Sequence, residues 1–108
     1  MTTKTQVVTI CGSMRFWNEI LETAKLASLA GQIVLAPFVR ISPEEQLTSE
    51  AKVLLDVLHF RKIDLSEGIV VVRVNNYIGE STSREIDYAR ASHKTIKFAD
   101  YARESEHR

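Results

Sequence analysis

The sequence predicts a single α/β domain built on a parallel sheet, and three observations predict it. Four short apolar runs rich in β-branched residues alternate with segments whose apolar residues recur at helical spacing. Such alternation argues for parallel strands with helices on both faces. The chain of 108 residues is long enough for one compact domain and no more. A hydrophobic fraction of 44 % and a charged fraction of 26 % are ordinary globular values, so a core needs neither disulfide nor metal.

Val7-Val8-Thr9-Ile10-Cys11 is the first strand, closed by Gly12-Ser13. Trp17, Ile20, Leu21, Ala24 and Ala27 mark a helix that ends at Gly31. Ile33-Val34-Leu35-Ala36 forms a second buried strand, stopped by Pro37. Ser42-Pro43-Glu44-Glu45 has the pattern of a helix start, with Ser42 as N-cap, Pro43 at the first helical position and Glu45 closing a capping box. Leu47, Ala51, Leu54 and Leu58 extend one apolar face, and Thr48-Ser49-Glu50 offers a second point at which that helix can begin.

Gly68 precedes the third strand, residues 69–74. A third helix covers 82–93, with Ile86, Ala89 and His93 on one stripe, and residues 95–98 form the fourth strand. Residues 1–100 are thus read as one nucleotide-binding domain, and 101–108 as a polar tail that frays. Right-handed crossovers leave few topologies. The order 2-1-3-4, a small flavodoxin-like three-layer arrangement, puts strands 1 and 3 beside the switch point, where open α/β sheets bind ligands.

Two segments meet at that crevice. Gly12-Ser13-Met14-Arg15 supplies a tight turn, a hydroxyl, exposed amides and a guanidinium able to grip phosphate through two hydrogen bonds. Asn75 through Glu85 contains Tyr77, suited to touching a base, a Gly79 turn, and the hydroxyl-rich helix start Ser81-Thr82-Ser83. Such a start favours an anion, with Glu85 one turn behind it. Glu85 is read in two ways: as a nucleophile toward a sugar carbon, kept ionised by the helix N-terminus, or as the far end of a Thr82–Glu85 capping box. Ser81 and Ser83 divide between phosphate contact and capping. His59, with Arg61, Lys62 and Asp64 close behind, either serves the ligand or closes an exposed helix end.

Fourteen basic residues balance fourteen acidic ones, which argues against a nucleic-acid polymer or an anionic membrane as partner. The lone Cys11 reads as a small buried thiol without a disulfide partner. No Cys/His group has zinc spacing, so neither a metal nor another cofactor is implied. His93 and His107 read as structural or solvated. Neither a signal-peptide pattern nor a membrane span is seen, which places the protein in the cytoplasm. Phe16 and Trp17 read as core or as exposed aromatics covered by a second copy, predicting a homodimer.

The paired motifs CGSMR and GESTSREIDYA resemble those of the nucleoside 2-deoxyribosyltransferase superfamily, which includes 2′-deoxynucleoside 5′-phosphate N-hydrolases. The similarity spans residues 6–98 and implies a flavodoxin-like fold, a homodimer, and cleavage or exchange of an N-glycosidic bond. It implies that Glu85 is the nucleophile, forming a glycosyl ester that water or a second base resolves with retention. It implies too that the Gly12–Arg15 loop and the serines 81 and 83 hold a 5′-phosphate. Family members commonly carry an aspartate, in the helix before the third strand, that assists the leaving base. Alignment places His59 or Arg61 near that position and Asp64 a turn later, so the general acid is unassigned. The expected activity is N-glycosidic cleavage of a nucleoside 5′-monophosphate or the related deoxyribosyl transfer. The alternative is a nucleotide-binding module without turnover.

Overall fold

The computed structural model describes residues 5–37 and 46–104. The Ser42–Glu45 helix start and His107 lie outside these residues. The elements are β1 (Val7–Cys11), α1 (Trp17–Leu29), β2 (Ile33–Leu35), α2 (Ser49–Asp64), β3 (Gly68–Val74), α3 (Glu80–Ala91) and β4 (Thr95–Tyr101), with a 3-10 turn over Met14–Phe16 leading into α1. All four strands are parallel, in the order β2-β1-β3-β4, as expected from the alternation of elements.

β1 and β3 are the inner strands, and β3 pairs along β1 on one side and β4 on the other. Its apolar run Ile69-Val70-Val71-Val72 suits a strand covered on both faces. Alternation sends Ile10, Val72 and Val74 toward α1, where they pack with Phe16 and Ile20. Cys11, Ile69 and Val71 point the other way, against Ile63 of α2 and against Ile86 and Ala89 of α3. Among the described residues, one helix therefore covers one face and two cover the other.

A knot of hydroxyls holds α2 to the sheet. Thr9 Oγ1 and Ser66 Oγ lie 2.6 Å apart, and both hydroxyls reach the Lys62 carbonyl, at 3.0 and 2.8 Å. Thr9 is two residues from Cys11, so both face α2. Lys62 also donates from Nζ to the Ala36 carbonyl at 2.7 Å, tying α2 to the end of β2.

Several elements depart from expectation. The Leu47-Ala51-Leu54-Leu58 face does not pack as a unit, since Leu54 and Leu58 are exposed along with Val53 and Val57. The buried residues of α2 are His59 and Ile63 instead. The helix starts at Ser49 with Thr48 as N-cap, its hydroxyl accepting from the Ala51 amide. β2 lies at the sheet edge, so it is half-buried rather than buried, with Ile33 exposed.

β4 runs to Tyr101, three residues beyond the expected end. Tyr101 is retained by a hydrogen bond between its hydroxyl and Thr23, and Arg103 by a two-pronged pair with Glu19. Asn75, with φ 51°, exchanges hydrogen bonds with the Arg103 backbone, a task suited to a side chain that tolerates left-handed geometry. α3 stops at Ala91, and His93 sits beyond it at φ 61°, exposed and off the Ile86–Ala89 stripe. Phe16 is buried, edge-on to Tyr77, and Trp17 is partly buried, so these aromatics do not form the exposed patch from which a dimer was expected.

Gly68 is where the two pairings of β3 begin, opposite Val8 and Thr95. A Cβ there would lie 1.9 Å from Thr95 Oγ1 and 2.8 Å from the Thr95 carbonyl oxygen. The hydroxyl can rotate away, but the backbone oxygen moves only with the strand. Gly68→Ala is therefore expected to cost about 1–3 kcal/mol through overpacking. Urea unfolding measures this, and an unchanged midpoint would show that β4 yields freely.

Candidate active site

A cavity of about 610 Å³ opens at the carboxyl ends of β1 and β3, the crevice nominated by the topology. Its size suits a small-molecule ligand. One wall is the turn after β1, with Gly12, Ser13 and Met14. A Cβ on Gly12 would approach Val72 Cβ to 3.1 Å, so the turn passes close over β3. Opposite stands the start of α3, with Gly79, Ser81 and Thr82. His59 and Glu85 form part of the lining, and Tyr77 stands at its side.

The start of α3 is two residues earlier than expected. Gly79 is the N-cap, in extended conformation, and Glu80 is the first helical residue. Thr82 thus lies inside the first turn and is buried, so the Thr82–Glu85 capping box does not form. Glu85 is released from any capping duty. The amides of the first turn face the cavity without a side-chain cap, which keeps the anion-binding character of the helix start.

Two expected residues are placed elsewhere. Ser83 is exposed and outside the lining, its place taken by Thr82. Arg15 is also outside it, with its guanidinium carbon 4.8 Å from the Tyr77 ring centroid in a cation–π contact beside the cavity. Ser13 both lines the cavity and accepts from the Arg15 amide at 3.3 Å, so its local and ligand-facing roles coexist. Ser81 accepts from Arg84 at 3.2 Å.

Glu85 sits on the inner side of α3. Its Oε1 is 3.6 Å from His59 Nε2, and His59 Nε2 is 3.4 Å from Cys11 Sγ. Glu85 also accepts a hydrogen bond from the Cys11 thiol. The helix N-terminus was expected to keep Glu85 ionised, but burial prevails. Desolvation pushes its carboxyl up to about 7, and the nearby charge of Asp56 adds to the rise. Burial also pushes His59 down to about 4, so at neutral pH the contact joins a neutral imidazole to a half-ionised carboxyl. The Cys11 thiol is raised well above its ordinary value by burial, then by Glu85, so it stays in the protonated form at neutral pH.

His59 is therefore a buried mid-helix residue of the site, and the exposed-helix-end reading is excluded. Asp64 is turned away: it accepts from the Tyr88 hydroxyl and from Arg61 on the outer side of α2, beside neither Glu85 nor the cavity. The carboxylate in the helix before β3 that does line the cavity is Asp56. Sequence reasoning passed over it because the Leu54–Leu58 pattern appeared to set the inner face of α2. The position one turn before His59 was the available signal. Lys52 and Lys62, also in the lining, bring cations to the same space.

With this geometry in view, the chain falls in the flavodoxin-like α/β class with its cavity at the β1/β3 switch point. Among solved structures it is similar to the 2-deoxyribosyltransferase of the psychrotolerant bacterium Bacillus psychrosaccharolyticus, an enzyme described as a biocatalyst for the synthesis of antiviral and antitumoral nucleosides. The TM-score is 0.75 at 12 % identity, over 94 % of this chain and 77 % of the other, a likeness of fold. No protein-family model matches the chain, and no curated protein matches it. Among the described residues, no helix is long and apolar enough to cross a membrane.

The raised Glu85 carboxyl has a pH signature. The unfolded chain releases this proton near 4.5 and the folded one near 7. The stability that Glu85 contributes is complete below 4.5 and is lost as pH rises through about 7. His59 acts in the opposite sense, lending stability as pH rises from about 4 to 6.5. Glu85→Gln is therefore expected to be more stable than the wild type at pH 8, by on the order of 1–3 kcal/mol. The difference should shrink toward pH 4.5. Parallel urea-midpoint profiles from pH 4.5 to 8 would mean that Glu85 ionises freely in the fold.

Proposed function

We propose that the protein is an N-glycosidase of nucleoside 5′-monophosphates, working through a glutamyl-sugar ester. The observation that carries this reading is the placement of Glu85 and Asp56 in one cavity with the uncapped start of α3. An anion on the amides of residues 80–82 sets a sugar phosphate there, with Glu85 one turn deeper. A Glu85 oxygen attacks the anomeric carbon as the bond to the base breaks. The departing base takes a proton from a water molecule held by the Asp56 carboxylate, the assisting role that the sequence alone left open. Water then attacks the anomeric carbon, its proton neutralises the hydroxide left by the first step, and the ester bond breaks to restore the Glu85 carboxylate. Two displacements retain configuration. Partial burial fits a carboxyl that must change state during turnover, and neutral pH already ionises about half of it.

A panel of ribo- and deoxyribonucleosides and their 5′-monophosphates, with free base read by chromatography, tests the proposal. Base release from monophosphates, reduced by several orders of magnitude in Glu85→Gln and strongly in Asp56→Asn, is the expected result. Release only with an added acceptor base would assign transfer instead of hydrolysis. Binding without release by the wild type would leave a nucleotide-binding module. Arg15→Ala is expected to weaken monophosphate binding by about 1.5–3 kcal/mol while sparing nucleosides, as Arg15 swings from Tyr77 to the phosphate. Equal loss for both ligands would confine Arg15 to its stacking role.

The homodimer remains part of the proposal, on a different surface from the one first expected. Val53, Leu54, Val57 and Leu58 present an exposed apolar strip along α2. We place the two-fold contact there. Light scattering at micromolar concentration should give twice the chain mass of 12.2 kDa, and Val57→Glu should return it to one. A monomeric wild type overturns the assembly but leaves the site chemistry untouched.

A further inference from the structure

Cys11, His59 and Glu85 come from β1, α2 and α3, and the fold gathers their donor atoms at one point. Sγ and Nε2 are 3.4 Å apart, Nε2 and Oε1 are 3.6 Å apart, and all three atoms lie within 4.8 Å of one another. Tetrahedral zinc with its usual bonds to sulfur, nitrogen and oxygen has ligand–ligand edges of about 3.3–3.6 Å. Two of the three edges of the cluster already fall in this range. We propose that Cys11, His59 and Glu85 form a binding site for a thiophilic divalent cation of the zinc type, with its fourth position open to the cavity.

The donor set selects the ion. One thiolate and one imidazole suit zinc or its tetrahedral substitutes, whereas magnesium and calcium require six or more oxygens. Binding replaces the Cys11 thiol proton, which passes to solvent, and forms the metal–sulfur bond. His59 contributes Nε2, and Glu85 contributes one carboxylate oxygen. No linear motif announces the site, because its ligands are 48 and 26 residues apart along the chain and meet only in three dimensions.

The site shares Glu85 with the proposed reaction, and its effect on turnover rests on that reading. A cation holding the Glu85 oxygen withdraws the nucleophile from the sugar. Zinc then acts as a reversible inhibitor, and a chelator restores base release.

Cobalt(II) is the probe, added to the full chain after chelator treatment and desalting. One equivalent is expected to give a thiolate-to-cobalt charge-transfer band and the visible bands of tetrahedral coordination, both bleached by zinc. Cys11→Ala should abolish the charge-transfer band. Glu85→Gln and His59→Gln should keep it but weaken cobalt binding tenfold or more. If Cys11→Ala fails to fold, those two variants decide the matter. Absence of the band in the wild type, or unchanged affinity in both Gln variants, overturns the site. The spectrum requires no turnover, so a protein inactive on every nucleotide but bearing the band keeps the metal site and loses only the glycosidase reading.

Discussion

The contact among Thr9, Ser66 and the Lys62 carbonyl sets the rotation of α2, and the site depends on that rotation. Successive helical residues are separated by about 100° around the axis. With Lys62 and Ser66 anchored over β1, Ile63 enters the core and His59, one turn back, meets Cys11. Asp56, a further turn back, lines the cavity. A register slip of one residue would carry His59 and Asp56 off their targets together. The hydroxyls are buried and satisfy one another, so breaking one partner would leave polar atoms stranded at a cost of about 1–3 kcal/mol.

Two opposing fields act on Glu85. The start of α3 and the Cys11 hydrogen bond favour a carboxylate, while burial and the nearby Asp56 charge favour the neutral acid. Enclosure wins because Glu85 lies a turn inside the helix and faces inward, whereas the dipole weakens within the first turn. The free amides at 80–82 remain nearer solvent and keep their pull on an incoming anion. A site can in this way hold a phosphate and a partly protonated carboxyl one turn apart.

The sheet was legible because its signal is compositional. The β-branched run at 69–72 suits an inner strand, and right-handed crossovers left few orders, of which 2-1-3-4 is the one observed. The crevice followed from that order, which is why Gly12–Met14, Tyr77, Gly79, Ser81 and Glu85 were named before their geometry was known. α2 was not legible in the same way. Leu54 and Leu58 follow a helical period yet are exposed, while a histidine and an isoleucine face the core. Periodicity reports apolar spacing, not which face the tertiary contacts will choose. The start of α3 was misjudged for a related reason: serine and threonine attract a capping interpretation, but Gly79 in extended conformation caps without a side chain. Meetings such as Cys11 with His59 have no local signature at all.

The pairing pattern of the sheet also orders its assembly. Gly68 and Thr95 are 27 residues apart, whereas Val8 and Gly68 are 60 apart. Closing the longer loop costs about 0.7 kcal/mol more chain entropy, and the β3-α3-β4 unit carries the densest strand pairing. Glu85 therefore belongs to a unit that can consolidate by itself, while Cys11 arrives only when β1 docks. On a ribosome the order of synthesis is the reverse of this. The first strand emerges early, finds only β2 as a partner, and waits with one edge unpaired until residue 74 has cleared the exit. The turn after β1 lies over β3 only once those two strands have paired, so the cavity requires a first strand to be captured by one made long after it.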